Sequence, residues 1–236
     1  MRSSFGLQTS AGASWRLAAW AGLTVLAIVA PWLSPFTWGP NHEMVQRLVS
    51  AGCGAILLVT WVGLGFRLDS RALAITLAWG LLVAALLSAV AGVLQYFGSE
   101  GVLFHNWISA STPGQAYANL RQRNQFASLT SLGLVALLYL VTTHTAARQR
   151  QAAVLATCGV IALAILAAGN AASSSRTGVL QWLGLLALAY VWGRHRQRSL
   201  LAWMLLAVGL YLAAAGALSQ LLEVATGTSG SGALQR

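Results

Sequence analysis

The sequence predicts an all-α protein, a polytopic transmembrane helical bundle of about seven spans, and three observations lead there. Mean hydropathy is +0.69, with 57% of the 236 residues hydrophobic and only 8% charged. Apolar stretches of about twenty residues, the length that crosses a bilayer as a helix, recur along the chain. These stretches are apolar on all sides, whereas helices of a soluble core would keep a polar face and barrel strands would alternate in polarity.

The first expected span, 16–35, follows Arg2 and Arg16 and lacks a small-residue cleavage site, Ala30-Pro31-Trp32 being a poor one; it reads as an uncleaved signal anchor. A connection from Pro35 to Met44, holding Trp38, Pro40, His42 and Glu43, leads to the second span, 46–66. The third, 72–96, precedes the longest loop, 97–123, in which Trp107 and Tyr117 suit the membrane interface. Spans at 124–143, 152–170, 177–193 and 200–222 complete the set. Runs such as Ala162 to Ala172 and Ala213-Ala214-Ala215-Gly216-Ala217 permit close helix approach in lipid. Cys53 and Cys158 both fall inside spans and read as small buried packing residues. Residues 1–222 thus form one transmembrane domain, and 223–236, rich in glycine and serine, a flexible tail.

All 14 basic residues are arginine, against 4 acids, and the pI is near 11.3. In a soluble protein this balance would point to nucleic acid; here the arginines sit between hydrophobic runs, so topology explains them and no nucleic-acid partner is expected. Nine of them (Arg2, Arg16, Arg67, Arg71, Arg148, Arg150, Arg194, Arg196 and Arg198) lie at the N-terminus and in short alternate loops. The other connections hold five: Arg47, Arg121, Arg123, Arg176 and Arg236. The positive-inside bias therefore expects the N-terminus in the cytoplasm and the C-terminus outside.

That topology puts Arg121-Gln122-Arg123-Asn124-Gln125 on the outer face, at the mouth of the fourth span, where arginine is normally sparse. Guanidinium groups hold phosphate bidentately, and a helix starting near Asn124 would aim free N–H groups and its positive dipole end at the same ligand. A lipid-linked pyrophosphate, with its tail in the bilayer, is the expected partner of Arg121, Gln122, Arg123 and Asn124. The competing explanation is that the two arginines only snorkel to membrane-lipid headgroups. A second polar hairpin, Asn170 to Gly178, places Arg176 at another helix start on the same face, with hydroxyls before it suited to capping. His42, Glu43, Glu100 and His105 read as solvated loop residues. Zinc-type spacing, Gly-rich phosphate loops and acidic metal motifs are absent, and Asp69 is the only aspartate; neither a metal nor a cofactor is expected.

Asn119-Leu120-Arg121-Gln122-Arg123-Asn124-Gln125-Phe126-Ala127 resembles the Gln-x-Asn-(His/Gln)-x-Ala signature of bacterial pilin O-oligosaccharyltransferases of the PglL type. Ser174-Ser175-Arg176-Thr177-Gly178 is similar to the Ser-Arg-(Thr/Ser)-(Ala/Gly) opening of the O-antigen ligase and polymerase (WaaL/Wzy) domain. Residues 117–140 would then be the pilin-ligase motif and 170–222 the start of the ligase domain. The resemblance implies a multi-pass protein of the bacterial inner membrane. Such a protein transfers a glycan from undecaprenyl pyrophosphate, at the periplasmic face, to Ser/Thr of a pilin-like protein or to a lipid A-core sugar. Carried over by match, Gln122 and Asn124 belong to the first motif and Arg176 to the second; Arg121 and Arg123 follow from position alone. Members of the family continue into a large periplasmic loop with a functional histidine. The chain is therefore expected to be the N-terminal part of such an enzyme, or a degenerate member, with no catalytic residue assignable here. A non-enzymatic membrane protein is the remaining alternative.

Overall fold

The computed structural model describes residues 11–34, 42–64, 70–99, 107–109, 111–120, 122–143, 149–193 and 198–226. Among them stand seven helices and no strand: α1 (Ala11–Leu33), α2 (His42–Leu64), α3 (Ser70–Tyr96), α4 (Arg123–Thr143), α5 (Gln149–Ala172), α6 (Arg176–Gly193) and α7 (Arg198–Thr226). Each matches one expected span within a few residues. Five segments are long and apolar enough to cross a membrane: Met44–Val62, Ser70–Tyr96, Arg123–Thr143, Ala152–Ala172 and Arg198–Ala225. The apolar part of α1, Ala18–Leu33, is shorter, and α6 has 18 residues. Large apolar side chains such as Leu58, Val59, Leu180, Val191 and Leu212 are exposed on the bundle, as a lipid-facing surface requires.

Two expectations need correction. Helix α7 continues through Thr226, because Leu221, Leu222, Val224 and Ala225 sustain a helix until the first glycine of the tail, Gly227. Residues 227–236 lie outside the described residues. Cys158 is exposed and Cys53 half-buried, so neither thiol is a core packing residue; the first half of α5 turns most of its side chains away from the bundle.

Helices α3, α4 and α5 pack against one another; α6 joins through α4 and α7, α7 through α5, and α1 links α2 to α3. Small residues set the spacing. The Phe126 ring fills the space a side chain at Gly92 would take, and Gly133 packs on Ala85, which gives α3 and α4 an antiparallel register. Gly169 packs on Ala89, so a Cβ there would lie 2.5 Å from Ala89 Cβ and 2.9 Å from Ala89 Cα. The second contact is backbone and cannot yield without moving α3. Gly169→Val is expected to destabilise the bundle by about 3 kcal/mol through this overpacking. Thermal unfolding in detergent should show a lowered midpoint, while Gly184→Ala, where a Cβ meets nothing within 4 Å, should not.

The up-and-down order gathers the C-terminal ends of α1, α3, α5 and α7 with the N-terminal ends of α2, α4 and α6. Direct contacts bear this out: Asn119 bonds the Leu33 carbonyl, Gln46 bonds Asn119, and Leu222 packs against Gly114. That common end carries the polar residues considered next.

Candidate functional site

The site begins where α3 stops. Gly98, at φ 67°, takes the left-handed position that ends a helix; its N–H bonds Gln95 O at 3.0 Å and Ser99 N–H bonds Leu94 O at 2.9 Å. The chain then returns to the bundle through 107–120, fastened by two buried amides. Gln95, fully buried, donates from Nε2 to Ser109 O and to Ala118 O (2.8 Å). Its Oε1 accepts from Tyr117 N–H (3.1 Å) and Ala118 N–H (2.7 Å). Ala118 sits at φ 50°, a conformation that costs an L-residue about 1 kcal/mol, and Gln95 holds both of its backbone groups. Asn119 donates to Leu33 O (3.2 Å) and Trp107 O (2.8 Å) and accepts from Ser109 N–H (3.0 Å). The turn that delivers the chain to α4 is therefore rigid. Trp107 is exposed and Tyr117 half-buried.

Helix α4 opens directly after this turn. Gln122 is exposed and its carbonyl accepts from Phe126 N–H at 3.1 Å; Arg123, Asn124 and Gln125 are exposed in the first turn, and Phe126 and Ala127 are buried. Arg121 lies outside the described residues, as do Glu100 and His105. His42 and Glu43 begin α2, but their side chains also lie outside the description. Among the described residues no cluster of His, Cys, Asp or Glu could hold a metal ion.

The hairpin 173–175 sets the second helix start beside the first. Ser174 reverses the chain at φ 50°, the Ser173 hydroxyl donates to Asn170 O at 2.6 Å, and Ser175 N–H bonds Ser173 Oγ at 3.2 Å. Ser175 caps α6 with its carbonyl, which accepts from Gly178 N–H at 3.1 Å. Its hydroxyl does not turn back on the helix as a capping side chain would; it crosses to α4 and donates to Asn124 Oδ1 at 2.8 Å. This bond joins the residue after Arg123 to the residue before Arg176. Both arginines lead their helices and both are exposed.

Below the bridge the two helices run parallel and in register. One turn down, Gly178 faces Ala127. The next turn is polar: Gln181 Nε2 donates to Ser128 Oγ at 2.8 Å, and Gln181 Oε1 lies 2.9 Å from the Ser131 hydroxyl. Hydrogen bonds of this kind hold helices together in an apolar medium. Behind Gly178 sits Asn170, fully buried, with neither side-chain atom partnered. Its Oδ1 occupies the place of a Cβ at residue 178.

Two adjacent helix N-termini, each carrying roughly half a positive charge, with an exposed arginine at the head of each, make this end of the bundle electropositive and rich in donors. The Ser175–Asn124 bond thus sets the helix starts led by Arg123 and Arg176 side by side, with Asn124 in the joint and Gln122 just before Arg123. Gln95, Asn119, Asn170, Ser175 and Gln181 were not among the predicted site residues. The available signal was a side-chain amide or hydroxyl within or at the end of an apolar run, where an unpaired polar group is costly.

Comparison with known families falls on the same segment. Residues 116–141 match the PglL_A family, described as protein glycosylation ligase. No curated protein and no solved structure matches the chain at a significant level. The matched stretch runs from the turn held by Gln95 and Asn119 through the first five turns of α4. Over that short stretch, the chain is similar to a protein glycosylation ligase.

Proposed function

We propose that the chain is a multi-pass glycan ligase of the bacterial inner membrane. It moves an oligosaccharide from undecaprenyl pyrophosphate to Ser/Thr of a pilin-like protein, and the end of the bundle carrying α4 and α6 N-termini faces the periplasm. The observation that carries this reading is the Ser175–Asn124 bond, which unites two arginine-led helix starts, one of them inside the ligase-like stretch. In the reaction the acceptor hydroxyl oxygen bonds the anomeric carbon, the bond from that carbon to the pyrophosphate oxygen breaks with its electron pair on that oxygen, and the hydroxyl proton passes to water. Arg123 and Arg176, aided by the two helix dipoles, would stabilise the charge that develops on the departing pyrophosphate, so no metal is required. Arg121 is proposed to add to the same mouth from sequence position.

The test is glycan transfer in cells that supply a lipid-linked oligosaccharide and a pilin-like acceptor. Mobility of the acceptor should shift with the wild-type protein, and the Arg123→Ala/Arg176→Ala variant should lose the shift at equal membrane abundance. Undiminished transfer would assign these arginines to headgroup contact alone. Transfer to lipid A-core instead of protein would favour the O-antigen ligase branch.

A further inference from the structure

We propose that Asn170 is a buried third arm of this site: its Nδ2 donates to a phosphate oxygen of the ligand once the Ser175–Asn124 bond parts. The proposal rests on the pyrophosphate reading above. Asn170 is 0% exposed, and both its Oδ1 and Nδ2 lack partners. A buried carboxamide without partners destabilises a fold, and an apolar side chain of similar volume would serve better as filler. Its place explains its presence. Asn124 and Ser175 form the bridge; one turn lower, Ala127 and Gly178 face each other, and the Asn170 carboxamide lies against Gly178. Asn170 therefore sits against the first turn of α6, at the level where that helix meets Ala127 of α4, one turn below the bridge. A side chain at residue 178 would fill the position that Oδ1 takes, so glycine is what leaves room for the amide.

We take the Ser175–Asn124 bond, made to an exposed asparagine, as the roof over Asn170. A phosphate held by Arg123 and Arg176 can replace that bond with equivalent ones, since the Ser175 hydroxyl and Asn124 Nδ2 are both donors. Opening the roof then gives the ligand a donor about one helical turn below the arginines. Two tiers of donors favour a diphosphate over a monophosphate, which gives Asn170 a role in selecting the ligand.

The test is titration of the protein in nanodiscs with farnesyl pyrophosphate, farnesyl monophosphate and inorganic pyrophosphate. Asn170→Leu should weaken farnesyl pyrophosphate binding about tenfold, the effect of losing one donor to a charged group, and remove the preference over the monophosphate. Its unfolding midpoint should stay level or rise. Asn170→Asp, read on its folded fraction, should weaken binding further by placing a carboxylate near the phosphate. Inorganic pyrophosphate should follow the same order if the headgroup is what the site recognises. On a background without Cys53 and Cys158, the oxidised Asn124→Cys/Ser175→Cys variant should bind more weakly than the same protein reduced. Wild-type affinity in the Leu or Asp variant, or a lowered midpoint with unchanged selectivity in the Leu variant, would overturn the role of Asn170. In those cases the arginine site would stand. Wild-type affinity in Arg123→Ala/Arg176→Ala would instead overturn the site itself.

Discussion

Gln95→Leu should destabilise the protein by about 4 kcal/mol, the largest stability loss expected from a single side chain here. The substitution keeps about the same volume but removes the side-chain bonds to Ser109 O and Tyr117 N–H and those that hold both backbone groups of Ala118. Each buried backbone group left unpaired costs about 1–3 kcal/mol, and partial rearrangement of the turn recovers some of the total. Ala118 would also be free to leave its left-handed conformation, so the strain it holds at φ 50° would drive the turn open. Limited proteolysis should then cut within 107–120 while helical circular dichroism changes little. Gln95→Glu is a sharper control, because a carboxyl oxygen can still accept from the two N–H groups while at most one of the two carbonyls keeps a donor. It should leave the turn more stable than Gln95→Leu does but less stable than in the wild type.

Arg123→Ala/Arg176→Ala should lower affinity for a polyprenyl pyrophosphate about a hundredfold, with little change in stability. The estimate takes roughly a factor of ten for each exposed guanidinium, the low end for hydrogen bonds to charged groups. Both side chains are exposed, so their removal leaves the packed core untouched. The paired lysine variant should keep part of the affinity, because lysine retains the charge but cannot form the planar two-point contact. The difference between lysine and arginine should survive added salt better than the difference between lysine and alanine, since screening acts on the exposed charge.

The helices were largely legible from the sequence, because length and uniform apolarity suffice to mark a helix in this chain. Their starts were legible where polar residues cluster: Arg123 and Arg176 each begin a helix beside its predicted boundary. Topology put the two starts on one face, and the Ser175–Asn124 bond is what brings them together. The network of Gln95 was not legible. A glutamine at the end of an apolar run has no local pattern to show that it will bond residues 109, 117 and 118 across a loop. Asn170 was equally hidden, since its position depends on a glycine in the next helix. The hydroxyl of Ser175 misled in a different way. It occupies the position of a capping residue, yet its side chain serves a neighbouring helix, a choice that only the packing of α6 on α4 decides.

The central claim is that the paired starts of α4 and α6 hold a pyrophosphate and do not merely meet anionic headgroups. The most direct measurement is competitive binding in zwitterionic nanodiscs, with a fluorescent polyprenyl pyrophosphate displaced by phosphatidylglycerol. The wild-type protein should retain the pyrophosphate against a large excess of phosphatidylglycerol, and Arg123→Ala/Arg176→Ala should lose that preference. Displacement of the pyrophosphate from the wild type by an equimolar amount of phosphatidylglycerol, or an unchanged preference in the double variant, would contradict the account.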